Sequence, residues 1–126
     1  MSTSNSRIER GAHYEHIAGQ FLLQNGHQLI EKNFCCKLGE IDLITQDPLG
    51  YLVFVEVRFR ASERFGGALA SVSANKQLRL RRAAATYLNS NPRFHSKHCR
   101  FDIIAISTAD TGASGQKINW IKSAFY

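Results

Sequence analysis

The sequence predicts an α/β domain in which a mixed sheet is flanked by helices. Three observations predict it. Two amphipathic segments of helical period lie well apart along the chain, at residues 7–25 and near 73–89. Between them, three apolar, β-branched segments follow one another through short links, which suggests an antiparallel meander. The second helical segment then separates the third strand from a fourth, and a connection of that kind permits a parallel crossover.

Each element has its own justification. Met1 to Ser6 is polar and reads as a flexible tail, which leaves residues 7–126 as a single domain. Ile8, Ala12, Tyr14, Ile17, Ala18, Phe21 and Leu22 recur roughly at helical spacing, and Gly26 follows as the residue just past the helix end. Residues 27–36 and 39–45 read as the first two strands. Asp47-Pro48-Leu49-Gly50 has the residues of a type I turn. Residues 51–60, YLVFVEVRFR, form the third strand, and Phe65-Gly66-Gly67 breaks the pattern as a loop.

Ser73 is placed to cap a second helix that runs to about Asn89. Its apolar positions Leu80, Ala83, Ala84, Tyr87 and Leu88 share a face, and Asn91-Pro92 stops it. Residues 99–107 are a fourth strand, 108–115 a flexible loop, and 116–125 a short last strand paired with the fourth.

Composition bounds the function. The chain has 126 residues, 44% of them apolar, enough for one core without staples. Lys and Arg number 16 against 10 Asp and Glu, a net charge of +6. That excess points to a polyanion, nucleic acid before an acidic membrane surface, or to solubility alone. Cys35, Cys36 and Cys99 make an odd set with no disulfide framework, as expected in a reducing compartment. The N-terminus carries no apolar signal run and no segment is long enough to span a bilayer, so the expected location is the cytoplasm, with no membrane contact.

The stretch GEIDLITQDPLGYLVFVEVRFR sets Asp42 and Glu56 inside apolar strands. Strand interiors are costly for carboxylates. By period two, Ile41 and Leu43 point one way, and Glu40, Asp42 and Ile44 the other. In the third strand Val53, Val55, Val57 and Phe59 share one face, and Phe54, Glu56, Arg58 and Arg60 the opposite one. A two-residue loop at Pro48-Leu49 would pair Asp42 with Val55 and spoil the apolar face. The pattern instead demands Asp42 opposite Glu56, Ile44 opposite Phe54 and Glu40 opposite Arg58, which needs a five-residue loop at 47–51 or a bulge.

Directly opposed residues have Cβ atoms about 4.5–5.5 Å apart. Two carboxylates that close repel, and one takes up a proton unless a cation lies between them. Mg²⁺ suits such a pair, since it uses one or two carboxylates plus water and substrate phosphate. The competing reading is two solvated carboxylates, or ion pairs with Arg58, Arg60 or Lys76.

At these residues a resemblance appears. Asp42 with Glu56-Val57-Arg58 resembles the PD-(D/E)XK nuclease signature. Gly39-Glu40-Ile41-Asp42 and Phe54-Val55-Glu56-Val57-Arg58 resemble the YraN family of small bacterial proteins in particular. So do Gly11-x-x-x-Glu15 with Ala18 and Leu22, Asn33-Phe34, Phe65-Gly66-Gly67-Ala68, Ser71-Val72, Lys76-Gln77 and Arg100-Phe101-Asp102.

The resemblance implies a restriction-endonuclease-like α-β-β-β-α-β core, similar to archaeal Holliday junction resolvases. It implies hydrolysis of phosphodiesters in nucleic acid, DNA before RNA, branched or structured strands included. Mg²⁺ or Mn²⁺ would be held by Asp42 and Glu56, with Glu15 from the first helix joining them. It also implies a homodimer, since resolvases of this fold work in pairs. Arg58 stands where the signature has Lys. Arg stabilises phosphoryl charge but does not serve as a base. The alternative is an inactive module of the same fold that binds nucleic acid or a protein.

Three basic residues are candidates for strand contacts. Lys76 opens the second helix, where backbone N–H groups also favour phosphate. Arg79 and Arg60 are expected to touch phosphates or stay solvated. His95-x-x-His98-Cys99 lacks a second metal half-site and reads as loop, and Asp102 is assigned a structural role beside Arg100. Phe94, Phe101 and Trp120 read as core, and no aromatic stacking platform is visible in the sequence.

Overall fold

The computed structural model describes residues 3–60, 67–107 and 117–126. Helix α1 spans Thr3–Gln24. Strands β1 (Gln28–Cys36), β2 (Gly39–Gln46) and β3 (Leu52–Arg60) follow, then a single-turn helix α2 (Gly67–Ala70) and the long helix α3 (Ala74–Ser90). Strands β4 (Cys99–Ser107) and β5 (Lys117–Phe125) complete one sheet in the order β1-β2-β3-β4-β5. The β3–β4 pair is parallel and the others antiparallel, as the meander and crossover require. This is the restriction-endonuclease-like α/β arrangement, with a mixed sheet between helices.

The local chemistry explains the boundaries. Gly26 takes a φ of 86°, the left-handed conformation that closes α1, and His27 N–H returns to the Leu22 carbonyl at 3.0 Å. Ser73 Oγ accepts the Lys76 N–H at 3.1 Å, capping α3. Helix α1 begins at Thr3, so residues 3–6, expected as tail, lie in its first turn. Thr, Ser and Asn are favoured at helix starts, so their polarity fits either state. Of the expected loop Phe65-Gly66-Gly67, Gly67 instead opens α2, while Phe65-Gly66, the expected loop 108–115, and Met1 and Ser2 lie outside the described residues.

Two apolar layers sandwich the sheet. Under α1, Ala18 and Leu22 pack on Leu43, Val53, Val55, Ile104 and Ile106. Under α3, Leu80, Ala83, Ala84 and Tyr87 pack on Ile41, Ile44, Leu52, Phe54 and Ile103. Burying each such large side chain contributes about 1.5–3 kcal/mol.

The β2–β3 ladder has the predicted register. Ile44 faces Phe54, Gln46 faces Leu52, and the intervening 47–51 is the five-residue loop. Two expectations need correction. Ile41 does not share a face with Leu43: it joins the α3 layer while Leu43 joins the α1 layer, so strict alternation breaks at Asp42. The ladder also ends at Leu43–Val55, before Glu40 and Arg58 can pair. Gly39 fixes how α3 crosses β2. A Cβ there would stand 2.7 Å from the Arg79 carbonyl oxygen, so no other residue permits this approach without displacing the helix.

Candidate active site

A cavity of about 350 Å³ opens where β2 begins and β3 ends, between α1 and the first turn of α3. Its polar wall is Glu15, Glu40, Asp42, Glu56, Arg58 and Lys76.

Asp42 is positioned by the end of the ladder. Its Oδ2 accepts the Val57 N–H at 2.8 Å, a bond from the facing strand's backbone. The bond anchors the carboxylate beside Glu56, one step past the last Leu43–Val55 pair.

Glu56 is only 3% exposed. Its Oε2 lies 3.4 Å from Arg58 Nη1 and 3.7 Å from Lys76 Nζ. Its Oε1 is buried with no hydrogen-bond partner. An orphaned buried carboxylate oxygen costs free energy. Burial first, and then Asp42, push the Glu56 carboxyl up to about 8, against the opposing pull of Lys76 and Arg58.

Glu15 rises to about 7, chiefly through burial and the Asp42 charge. Asn33 partly opposes the rise. In the amide orientation that satisfies both groups, Asn33 Nδ2 lies 2.9 Å from Glu15 Oε1 and 3.3 Å from Oε2. Asn33 sits in β1 with a φ of 54°, a backbone state that Asn tolerates better than most residues.

Arg58 is braced from both sides. Besides Glu56, its Nη2 donates to the Ser71 carbonyl at 2.9 Å, which explains why it does not turn to Glu40. Arg60 donates to the Gly67 carbonyl and does not line the cavity. Arg79 is exposed on α3, also outside the cavity. Of the three basic candidates, Lys76 alone joins the carboxylates.

Four carboxyls against two cations leave the cavity with an acidic surplus in a basic protein. Burial is the main cause of the raised Glu15 and Glu56 values, and the neighbouring Asp42 charge adds to it, so protons on these groups offset part of the surplus. A divalent cation does the same without neutralising the oxygens. Among the described residues no three His, Cys, Asp or Glu side chains already form a metal-holding group. Glu15 therefore shares the cavity without completing a ready-made triad. The orphaned Glu56 Oε1 and the anchored Asp42 still fit Mg²⁺, whose remaining positions go to water and phosphate.

The other sequence candidates settle elsewhere. Asp102 accepts from Arg100 Nε at 3.0 Å, Trp120 Nε1 at 2.9 Å and Ser123 N at 3.0 Å, and Arg100 Nη1 reaches Asp47 Oδ2 at 2.7 Å. Every oxygen of Asp102 is satisfied, which is the expected structural role. His95 bonds the Leu88 carbonyl, and His98 lies against Tyr51, with no shared centre. Sequence reasoning missed Asn33 as the partner of Glu15, and Tyr14 and Phe59 as cavity residues. Tyr14 and Phe59 directly adjoin Glu15 and Arg58 in sequence, the one signal available.

Comparison with known proteins places these residues in context. The model of a family described as "Uncharacterised protein family UPF0102" matches residues 14–106, a span that includes Glu15, Asp42, Glu56, Arg58 and Lys76. A UPF0102 protein of Nitrosomonas europaea is 46% identical over 121 residues, covering 96% of this chain and 97% of its own. One from Pseudomonas entomophila is 45% identical over 111 residues, 88% of this chain and 84% of its own. One from Alcanivorax borkumensis is 40% identical over 126 residues, 100% of this chain and 98% of its own.

Proposed function

Since the chain belongs to the UPF0102 family, the YraN family of its motifs, we propose that it binds nucleic acid and hydrolyses phosphodiesters with a divalent cation, Mg²⁺ or Mn²⁺, in the carboxylate cavity. The observation that carries this reading is the buried, unpartnered Oε1 of Glu56 beside the backbone-anchored Asp42.

Asp42 and Glu56 are the residues to hold the cation. When bound, it supplies a water of lowered pKa and offsets charge on the phosphoryl oxygens. The chain's own groups do the rest. Glu15, bonded by Asn33, faces the same space and steers water towards phosphorus. Arg58, braced by Ser71 and Glu56, has donors left for a phosphoryl oxygen. Lys76 brings an ammonium to Glu56 from a different element. Arg58 and Lys76 thus divide the work of the signature Lys: the first as a fixed fork, the second as a point charge. In the reaction a water oxygen bonds to phosphorus, the bond to the leaving oxygen breaks, and that oxygen takes a proton.

A second reading has its own observation. Arg58 and Lys76 both already pair with Glu56, an arrangement that a binding module without catalysis would also keep. The compartment proposed is the cytoplasm, where Cys35, Cys36 and Cys99 remain thiols. No described helix is long and apolar enough to cross a membrane.

The test is a cleavage screen on branched, flapped, single-stranded and duplex substrates, DNA and RNA, with and without Mn²⁺. Metal-dependent products support the hydrolase. Salt-sensitive binding without products supports the module.

A further inference from the structure

The cavity has one wall that the hydrolysis proposed above leaves without a task. Tyr14 of α1 and Phe59 of β3 both line it. Their rings stack with centroids 4.4 Å apart and planes 11° from parallel. Phe59 remains 41% exposed, although Val55 on the same strand face is fully buried.

A lone exposed ring calls for no explanation. This ring differs in its setting. Tyr14 holds it flat from one side, and it stands in the same cavity as Asp42, Glu56, Arg58 and Lys76. A phosphodiester seated against those groups brings its own sugar and base to the aromatic wall. A cavity of about 350 Å³ has room for a nucleotide.

A base inside a continuous duplex is stacked on both faces and has none to offer Phe59. An unpaired base has a free face, and aromatic side chains take such bases whatever their identity. We propose that Phe59, held flat by Tyr14, is a stacking platform for an unpaired base beside the scissile phosphate. The substrate class is then single-stranded or splayed nucleic acid, such as a flap or a fork, rather than continuous duplex. The platform rests on the proposed phosphodiester chemistry for the site of cleavage, and its binding is measured separately from cutting.

The probe is a forked oligonucleotide with 2-aminopurine in the unpaired arm at the junction, made as DNA and as RNA. A fully paired duplex with the same label is the control. Titration in Ca²⁺ reads binding and stacking without relying on turnover. The wild-type protein quenches the forked label in at least one of the two chemistries and binds the fork about tenfold or more tightly than the duplex, the strength of one base stacked on an aromatic ring. Phe59→Leu keeps an apolar side chain but loses the quenching and most of that fork-to-duplex ratio, and Phe59→Trp restores both. A ratio near one in the wild type, or a ratio unchanged in Phe59→Leu, overturns the platform. Quenching without any cleavage in Mn²⁺ keeps the platform and removes the hydrolase. Cleavage of fork and duplex alike, without quenching, keeps the hydrolase and removes the platform.

Discussion

The Asp42 carboxylate accepts the backbone N–H of Val57 at 2.8 Å, so the residue just past the last β2–β3 pair also bonds the strand it leaves. That bond sets one carboxylate beside Glu56 at the mouth of the sheet. It fixes the geometry through backbone, where mutation of neighbouring side chains reaches it least.

The first consequence is a pH-dependent stability. Glu56 and Glu15 are raised to about 8 and about 7 from an ordinary value of 4.5. Each binds its proton more tightly folded than unfolded. The stability they contribute is fully present below the ordinary value and is lost as pH rises through 7 and 8. Without metal, Tm should therefore fall between about pH 4.5 and 8 and level off above that. Glu56→Gln keeps the shape without the charge, so it should flatten that fall and raise Tm at the alkaline end. Mn²⁺ should stabilise the wild type most at the alkaline end and Glu56→Gln hardly at all. Thermal scans across that range decide it; a wild-type Tm indifferent to both pH and cation contradicts it.

Charge at the phosphoryl group is the second. Arg58→Ala should lower the cleavage rate by about two to three orders of magnitude, the typical loss for one fixed charge-stabilising group. Arg58→Lys should be tolerated, since it restores the more usual signature residue. Lys76→Ala should cost a similar factor, because its ammonium stands at the same Glu56 oxygen. Single-turnover rates check this, and an unchanged rate in Lys76→Ala would confine the role to Arg58.

On the neighbouring strand β4, outside the cavity lining, the Asp102 cluster should govern folding alone. Asp102→Ala leaves Arg100 short of a partner in a buried setting and exposes the Trp120 and Ser123 N–H groups to loss of their acceptor. Breaking a buried ion pair from one side costs about 3–5 kcal/mol. Urea midpoints should show that loss, while cleavage per folded molecule stays at the wild-type level.

Binding should also carry the signature of phosphate contacts. Log K should fall with log salt by about 0.9 per phosphate contacted on duplex, and less steeply on single strands. Replacing Lys76 and Arg79 should flatten the slope. An affinity indifferent to salt would mean that the charge of +6 serves solubility only.

Much of this arrangement was legible in the sequence, for stated reasons. The apolar alternation of β2 and β3 allows one register, and that register dictated the five-residue loop at 47–51. The cap at Ser73 and the close at Gly26 follow from residue chemistry. Other features leave no trace in a pattern. Ile41 and Leu43 are equally apolar, so nothing signals that they pack on opposite layers around Asp42. Lys76 reaches Glu56 because Gly39 lets α3 lie close to β2, a tertiary contact that spacing does not encode. Tyr14 and Phe59 meet only once α1 packs on the sheet, so each alone reads as ordinary core. The burial of Glu56 has the same origin, since α3 covers a strand face that alternation marked only as charged.

The proposed hydrolysis requires Asp42 and Glu56 to hold a divalent cation. Its most direct test compares wild type with Asp42→Asn, by Mn²⁺ titration calorimetry and by cleavage of a labelled forked substrate. Asparagine keeps the shape and loses the charge. The wild type should bind Mn²⁺ and cut, and Asp42→Asn should do neither while still binding the substrate as well as before or better. Cleavage by both proteins alike, or a wild type that neither binds Mn²⁺ nor cuts, would contradict it.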